Sequence, residues 1–319
     1  MPESAAKPFA SSGDLKEKIA TLDEVADGVY AYTAEGDPNV GAIIGPDSIA
    51  VIDSRATPVA ANRFLCDLRK VTDKPVSHLV LTHYHAVRVL GAAAFAPCEI
   101  IASNATRDLI AERGAQDWES EYRRMPRLFE EPETIPGLTW PTITFKEQLS
   151  LWLGDREVQL RFVGRGHTAG DIVVWLPKER ALFAGDLIEA EAALYMGDSY
   201  SREWGSTTLD NVAAFGATAV VPGRGPVARG DGVNTAIEQT RTFIHEMRAV
   251  IARAREDGND LKATFDAVQE SLTPKYRDWP IYQHVLPFNV KRIDDEMAGR
   301  EPAIWTAETD ATVWDELQR

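Results

Sequence analysis

Up to about Gly230, short runs rich in Val, Ile, Tyr and Phe alternate with Gly, Pro and Asp turn signals, the pattern of consecutive short strands. The series opens with "GVYAYTAEGDPNVGAIIGPDSIAVIDSR", whose last run, "SIAVID", ends on Asp53. "TPVAANRFLCDLRKV" predicts a helix with Thr57 as its cap and Pro58 at its first position. "SHLVLTH" and "CEIIAS" predict further strands, and "NATRDLIAERGAQDWESEYRRM" a helix or helix pair beginning at an Asn104 cap. Three short strands with a Gly154-Asp155 turn are expected in "TITFKEQLSLWLGDREVQLRFVG". The loop "GRGHTAGD", strands "IVVWLP" and "ALFAGD", a long loop to Trp204, helix "TTLDNVAAFG" and strand "TAVVPG" complete this part.

Beyond Gly230 the period changes. Val233, Ile237, Thr240, Ile244, Met247 and Ile251 recur at helical spacing, and "LKATFDAVQESL" predicts a second helix. The tail from Arg277 onward is rich in Trp, Pro and Tyr, too aromatic to be solvated, so it is expected to pack on its own domain or on a second subunit. The chain therefore divides into an N-terminal lead (1–24), a strand-rich domain (25–228) and a helical, aromatic extension (229–319).

Composition acts mainly by exclusion. A chain of 319 residues with 44% hydrophobic and 26% charged positions is an ordinary soluble globular protein with room for one large core or two modest ones. A net charge of -15 argues against general affinity for nucleic acid or acidic membranes. No apolar run could span a bilayer, and the N-terminus lacks a basic start followed by an apolar stretch, so a cytoplasmic protein is expected. Cys66 and Cys98 stand in no metal-binding or disulfide spacing and are expected to be inert core thiols.

Polar residues that carry chemistry collect where strands end: "THYH", "GRGHTAGD", "LFAGD" and "VPGRG" follow one another in order. A His-x-His pair alone is weak, but rigid strands delivering such residues to one mouth can hold a ligand geometry. This ordered set resembles the metallo-β-lactamase fold superfamily, over roughly residues 25 to 228. The resemblance implies an α/β fold, a four-layered αββα sandwich with the metal site along one edge of its two sheets, here with a C-terminal helical extension. The family's early Asp matches Asp53. Its T-H-x-H-x-D-H motif aligns with Thr82 through Arg88, so that His83 and His85 match while Val87 and Arg88 depart. Its third histidine matches His167, its bridging aspartate Asp186, and its final histidine aligns with Arg224.

The resemblance thus implies a complete first metal site, His83, His85 and His167, and the loss of the second. Valine offers no lone pair and arginine no acceptor. One zinc ion per chain is implied, because three neutral imidazoles suit tetrahedral zinc with one open position, where water ionises near pH ~7. Asp186 would be either a weak fourth ligand or the acceptor that orients this water. Arg88 and Arg224 would put fixed positive charge where the second ion stood, either clamping an anionic group of the substrate or pairing with Asp186 and Asp53. Asp53 and Thr168 are expected to brace the ligand loops. Tyr84, Tyr195, Asp198, Tyr200 and Trp204 are the candidate substrate contacts. His78, His245 and His284 are read as structural.

The leading expectation is a mononuclear zinc hydrolase acting on a small, anionic ester, lactone, amide or thioester, with metal-bound hydroxide as nucleophile. Two alternatives stand beside it. One is an iron sulfur dioxygenase-like enzyme that uses two histidines and Asp186. The other is a non-catalytic, metal-stabilised binding protein. A homodimer through the aromatic tail is the expected assembly.

Overall fold

The computed structural model describes residues 8–318. A seven-stranded sheet runs in sequence order: β1 (Thr21–Ala26), β2 (Val29–Thr33), β3 (Val40–Ile44), β4 (Ile49–Ile52), β5 (Val76–Val80), β6 (Glu99–Ser103) and β7 (Ile143–Phe145). The β1–β4 pairings are antiparallel and the β4–β7 pairings parallel. The second sheet uses β8 (Gln148–Leu153), β9 (Arg156–Phe162), β10 (Ile172–Leu176), β11 (Ala181–Gly185), β12 (Ala219–Pro222) and β13 (Ala228–Arg229), in the order β13-β12-β11-β10-β9-β8. Only β11 and β12 pair in parallel there.

Three apolar layers hold the sandwich. Between the sheets, Val29, Ala31, Ile43, Ile52 and Val80 meet Val158, Leu160, Val174, Phe183 and Val221. Gly41 is required at this seam, since a Cβ there would lie 2.1 Å from the Phe183 ring. The outer face of the first sheet is covered by α1 (Pro58–Leu68), α2 (Ala86–Val89) and α3 (Asn104–Arg124) through residues such as Phe64, Leu68 and Val87. On the other side lie α4 (Ser201–Glu203), α5 (Leu209–Ala213), α6 (Asp231–Glu256), α7 (Leu261–Tyr276), α8 (Tyr282–Met297) and α9 (Ala307–Gln318). Val233, Ile237, Phe243, Ile244 and Met247 of α6 share one core with Val173, Leu182 and Val220 of the second sheet. Each such side chain contributes about 1.5–3 kcal/mol by leaving water, so α6 completes the fourth layer of the αββα sandwich.

Several expectations change. The cap of α3 is Ser103, in extended conformation and accepting from Thr106 N, while Asn104 is already helical. The expected lead ends inside β1, and its residues 1–7 lie outside the described ones. Cys66 is exposed and Cys98 half-buried, so neither is a core thiol. The tail forms α8 and α9 and packs on its own chain. Phe288, Trp305 and Trp314 are buried there, which removes the aromatic argument for a dimer.

Candidate metal centre

Both sheets send the C-terminal ends of their central strands to one edge. Asp53 follows β4, His83 and His85 follow β5, His167 lies in the loop after β9, Asp186 follows β11 and Arg224 follows β12. One ring nitrogen from each of His83, His85 and His167 falls in a cluster whose atoms lie within 4.8 Å of one another, all buried.

The opposite nitrogen of each ring is held. Asp53 accepts from Thr82 N and from Thr82 Oγ1, both at 2.8 Å, which leaves that hydroxyl oxygen to accept from His83 Nδ1 at 3.0 Å. His167 Nδ1 donates to Tyr195 O at 2.8 Å, and His85 Nε2 to Asp198 Oδ2 at 3.1 Å. With their protons on these outer atoms, His83 Nε2, His85 Nδ1 and His167 Nε2 present bare lone pairs to the cluster. His83 Nε2 is buried with no hydrogen-bond partner. His85 Nδ1 and His167 Nε2 stand 2.9 Å apart, a spacing that two lone pairs tolerate only with a proton or a cation between them. The residues therefore fit a single metal ion.

Electrostatics agree with the bare lone pairs of His83 and His167, whereas His85 without a metal carries a second proton, on the Nδ1 that faces His167 Nε2 at 2.9 Å, which a bound cation would displace. Burial, only partly offset by Asp186, holds His83 well below the ordinary histidine range and His167 down at about 3. Burial also pulls His85 down, but the charge of Asp117 and the hydrogen bond of Asp198 outweigh it and carry this ring to about 9. Asp186 Oδ2 lies 3.7 Å from His83 Nε2 and 3.5 Å from His167 Nε2, at the rim of the trio. Burial would raise its carboxyl, but Arg88, His83 and Arg224 together hold it well below the carboxylate range.

The arginines act on this carboxylate. Arg88 donates to Asp186 Oδ1, to Asn39 O at 2.5 Å and to Gly223 O at 2.8 Å. Its side chain is 0% exposed and stands 3.6 Å from Asp53. Arg224 Nη1 donates to Asp186 Oδ2 at 3.0 Å and to Glu189 Oε1 at 3.2 Å. Gly223 lets the chain pass this close, because a Cβ there would lie 2.3 Å from Asp186 Oδ1. Of the two roles expected for Arg88, pairing with Asp186 and Asp53 is the one observed: both terminal nitrogens are engaged and the side chain is fully buried, while its Nε has no partner.

A profile of the Metallo-beta-lactamase superfamily matches residues 34–224, the span that carries every one of these loops. The chain belongs to that superfamily. Among characterised relatives of this metallo-beta-lactamase superfamily member, a "Metallo-beta-lactamase type 2" of Bacillus sp. (strain 170) is 28% identical over 202 residues, covering 61% of this chain and 70% of the relative. A "Linear primary-alkylsulfatase" of Pseudomonas sp. (strain ATCC 19151) is 23% identical over 239 residues, 64% of this chain and 45% of the relative. The solved "Metallo-beta-lactamase from Pontibacter korlensis" superposes with a TM-score of 0.57 at 20% identity, over 71% of this chain and 99% of that one. This last likeness shows the shared fold.

The candidate substrate contacts scatter on inspection. Tyr84 is buried with its hydroxyl on Asp198 at 2.7 Å, and Asp198 serves His85, so neither faces a free space. Trp204 is fully buried, its Nε1 bound to Leu187 O at 3.0 Å and its ring 5.8 Å from that of His167. Tyr200 is half-buried under the Arg165 guanidinium, 4.0 Å from its ring centre. Tyr195 alone lies against two cluster imidazoles, 5.6 Å from His85 and 6.0 Å from His167 between ring centres. Thr168 braces its loop through Asp171, which accepts from its backbone N at 2.6 Å and its hydroxyl at 3.1 Å. His78 is half-buried, His245 exposed, and His284 buried with Ser11 Oγ at 3.0 Å from its Nδ1.

A polar stripe on α3 was not anticipated. Arg113, Asp117, Ser120, Glu121 and Arg124 are all buried. Asp117 accepts from Ala86 N at 2.6 Å beside His85, and burial lifts its carboxyl to about 7. The spacing i, i+4, i+7, i+8, i+11 marks one helix face, and a polar set at that period with few apolar residues opposite is the available signal.

Proposed function

We propose that this protein is a mononuclear, zinc-dependent hydrolase of a small ester, lactone, amide or thioester. The observation that carries the reading is the convergence of three buried imidazole nitrogens, one of them without any partner, with all three outer nitrogens held by the protein. An all-imidazole donor set with no thiolate suits zinc. When bound, zinc supplies Lewis acidity and lowers the pKa of water to about 7. The chain supplies the rest: Asp186, kept ionised by Arg88 and Arg224, offers a proton acceptor at the rim of the cluster. Relatives named as lactamases and as an alkylsulfatase support hydrolysis as the reaction class. The anionic group expected on the substrate then falls to Arg224, whose Nη1 meets Asp186 and Glu189 while its Nε has no partner, since Arg88 is turned to Asp186 and Asp53.

Elemental analysis of protein purified without added metal tests it, followed by an ester and lactone panel with and without chelator. About one zinc per chain and chelator-sensitive turnover are expected. Two tightly bound ions, or none, would overturn it. Iron would instead favour the dioxygenase reading, which the approach of Asp186 to His83 and His167 at 3.7 and 3.5 Å keeps in play.

A further inference from the structure

Two of the three outer imidazole nitrogens are held by one short stretch of chain, since Tyr195 O takes the His167 proton and Asp198 the His85 proton. The stretch is tied down from the C-terminal region at four points. Asn289 on α8 donates through Nδ2 to Leu194 O at 2.7 Å, and its Oδ1 accepts from Met196 N at 2.6 Å. Arg292 Nε donates to Ser199 O, and Trp305 Nε1 to Gly197 O, both at 2.9 Å.

Asp198 is also the most fully engaged carboxylate of the site. Its Oδ2 accepts from Tyr84 Oη at 2.7 Å as well as from His85 Nε2, and its Oδ1 accepts from Arg113 Nη1 at 3.2 Å. Three donors, two from the loop after β5 and one from α3, leave it one orientation. His85 is meanwhile the ring that differs: His83 and His167 turn Nε2 inward, and His85 turns Nδ1 inward. An ionised carboxylate only accepts, so the ring nitrogen that faces it must carry a proton, and in the neutral ring that binds a metal the lone pair is then on the other nitrogen.

We propose that Asp198 is the positioning residue that commits His85 to coordinate through Nδ1, and that α8 holds it in place. The proposal rests on the metal reading of the histidine cluster for its functional meaning. It gives the C-terminal helices a task at the centre: they hold the carboxylate that selects the ligand atom.

The test is nuclear magnetic resonance of isotope-labelled histidine in cadmium-loaded full-length protein, with zinc affinity measured by chelator competition. In the wild type, one-bond coupling to the metal is expected at Nδ1 of His85 and at Nε2 of His83 and His167. Asp198→Ala should abolish the His85 coupling or move it to Nε2, and weaken zinc binding about 10–100-fold. Asp198→Asn keeps an acceptor oxygen and should retain the Nδ1 coupling, a rescue that a purely structural role would not give. Should Asp198→Ala not fold, Asn289→Ala, which frees the stretch without touching Asp198, should broaden or lose the same coupling. Retained Nδ1 coupling in Asp198→Ala, or in Asn289→Ala where only that variant folds, with zinc affinity within about twofold of wild type would overturn the proposal. A wild type that binds no metal would instead sink the hydrolase reading. In that event the protected His85 Nε2–H resonance of the metal-free protein decides: its loss in Asp198→Ala supports the positioning role, and its persistence overturns it.

Discussion

Arg88→Met separates the two roles that an arginine at this position could have. Methionine keeps the unbranched stem and deletes the guanidinium. Asp186 would keep Arg224 at 3.0 Å but lose its second cation, and Asn39 O would lose the donor now 2.5 Å away. Gly223 O would remain bonded to Asn39 N at 2.7 Å, so only one carbonyl is orphaned. Breaking a buried ion pair on one side costs about 3–5 kcal/mol, and an orphaned buried acceptor about 1–3 kcal/mol. The two together cost about 4–8 kcal/mol in metal-free protein, and at about 2.1 cal/mol/K of unfolding entropy per residue over 319 residues this is a fall in Tm of roughly 6–12 °C. Thermal melts followed by circular dichroism measure it, with urea midpoints as the check that the slope is unchanged. Asp186→Asn on the Arg88→Met background removes the uncompensated charge and should cost less than the two single losses added together. A variant that melts within about 2 °C of wild type while losing affinity for anionic substrates would refute this and return Arg88 to the substrate.

Two further outcomes follow from individual contacts. Thr82→Val deletes the hydroxyl between Asp53 and His83 Nδ1 but keeps the backbone bond to Asp53; it should weaken zinc binding about 10–100-fold in chelator competition with the fold intact, and unchanged affinity would contradict the bracing role. His284 is held well below the usual histidine range by burial, with Arg124 and Arg224 adding repulsion. The unfolded chain gains a proton near pH ~6.5 that the folded one refuses, so stability falls as pH drops below that value, by up to about 1.4 kcal/mol per pH unit from this group. His284→Gln, which can still bond Ser11 Oγ, should flatten the loss of Tm between about pH 7 and pH 5. An identical slope in variant and wild type would show that His284 contributes nothing to it.

The strand-end logic was legible because it is local. A β-rich run closed by a polar residue declares both the strand and the exit of its side chain, and Asp53, His83 and Asp186 were placed in this way, with His167 in the short loop between two such runs. Thr57 and Pro58 announced α1 for the same reason, with the Thr57 hydroxyl accepting from Ala60 N. Long-range polar pairing was not legible. Whether Arg88 meets a substrate or Asp186 depends on residues that β11 and β12 bring together from far along the chain. Asp198 read as a substrate contact on a loop because its donors, Tyr84 and Arg113, arrive from other elements. α8 was hidden by its own burial: Tyr282, His284, Val285, Leu286, Phe288, Asn289, Val290, Arg292 and Ile293 are covered, so no amphipathic period shows, and Pro287 inside it argues against a helix.

The guanidinium groups around Asp186 also change how this centre depends on its surroundings. A dissociable second cation would be present only in proportion to its free concentration, and its loss would leave a vacancy. Arg88 and Arg224 are delivered with every copy of the chain at translation and cannot diffuse away. The positive charge that these two side chains bring to Asp186 is thereby out of the reach of scarcity and chelators, and under the proposed one-metal reading only occupancy of the three-histidine cluster should follow the metal supply.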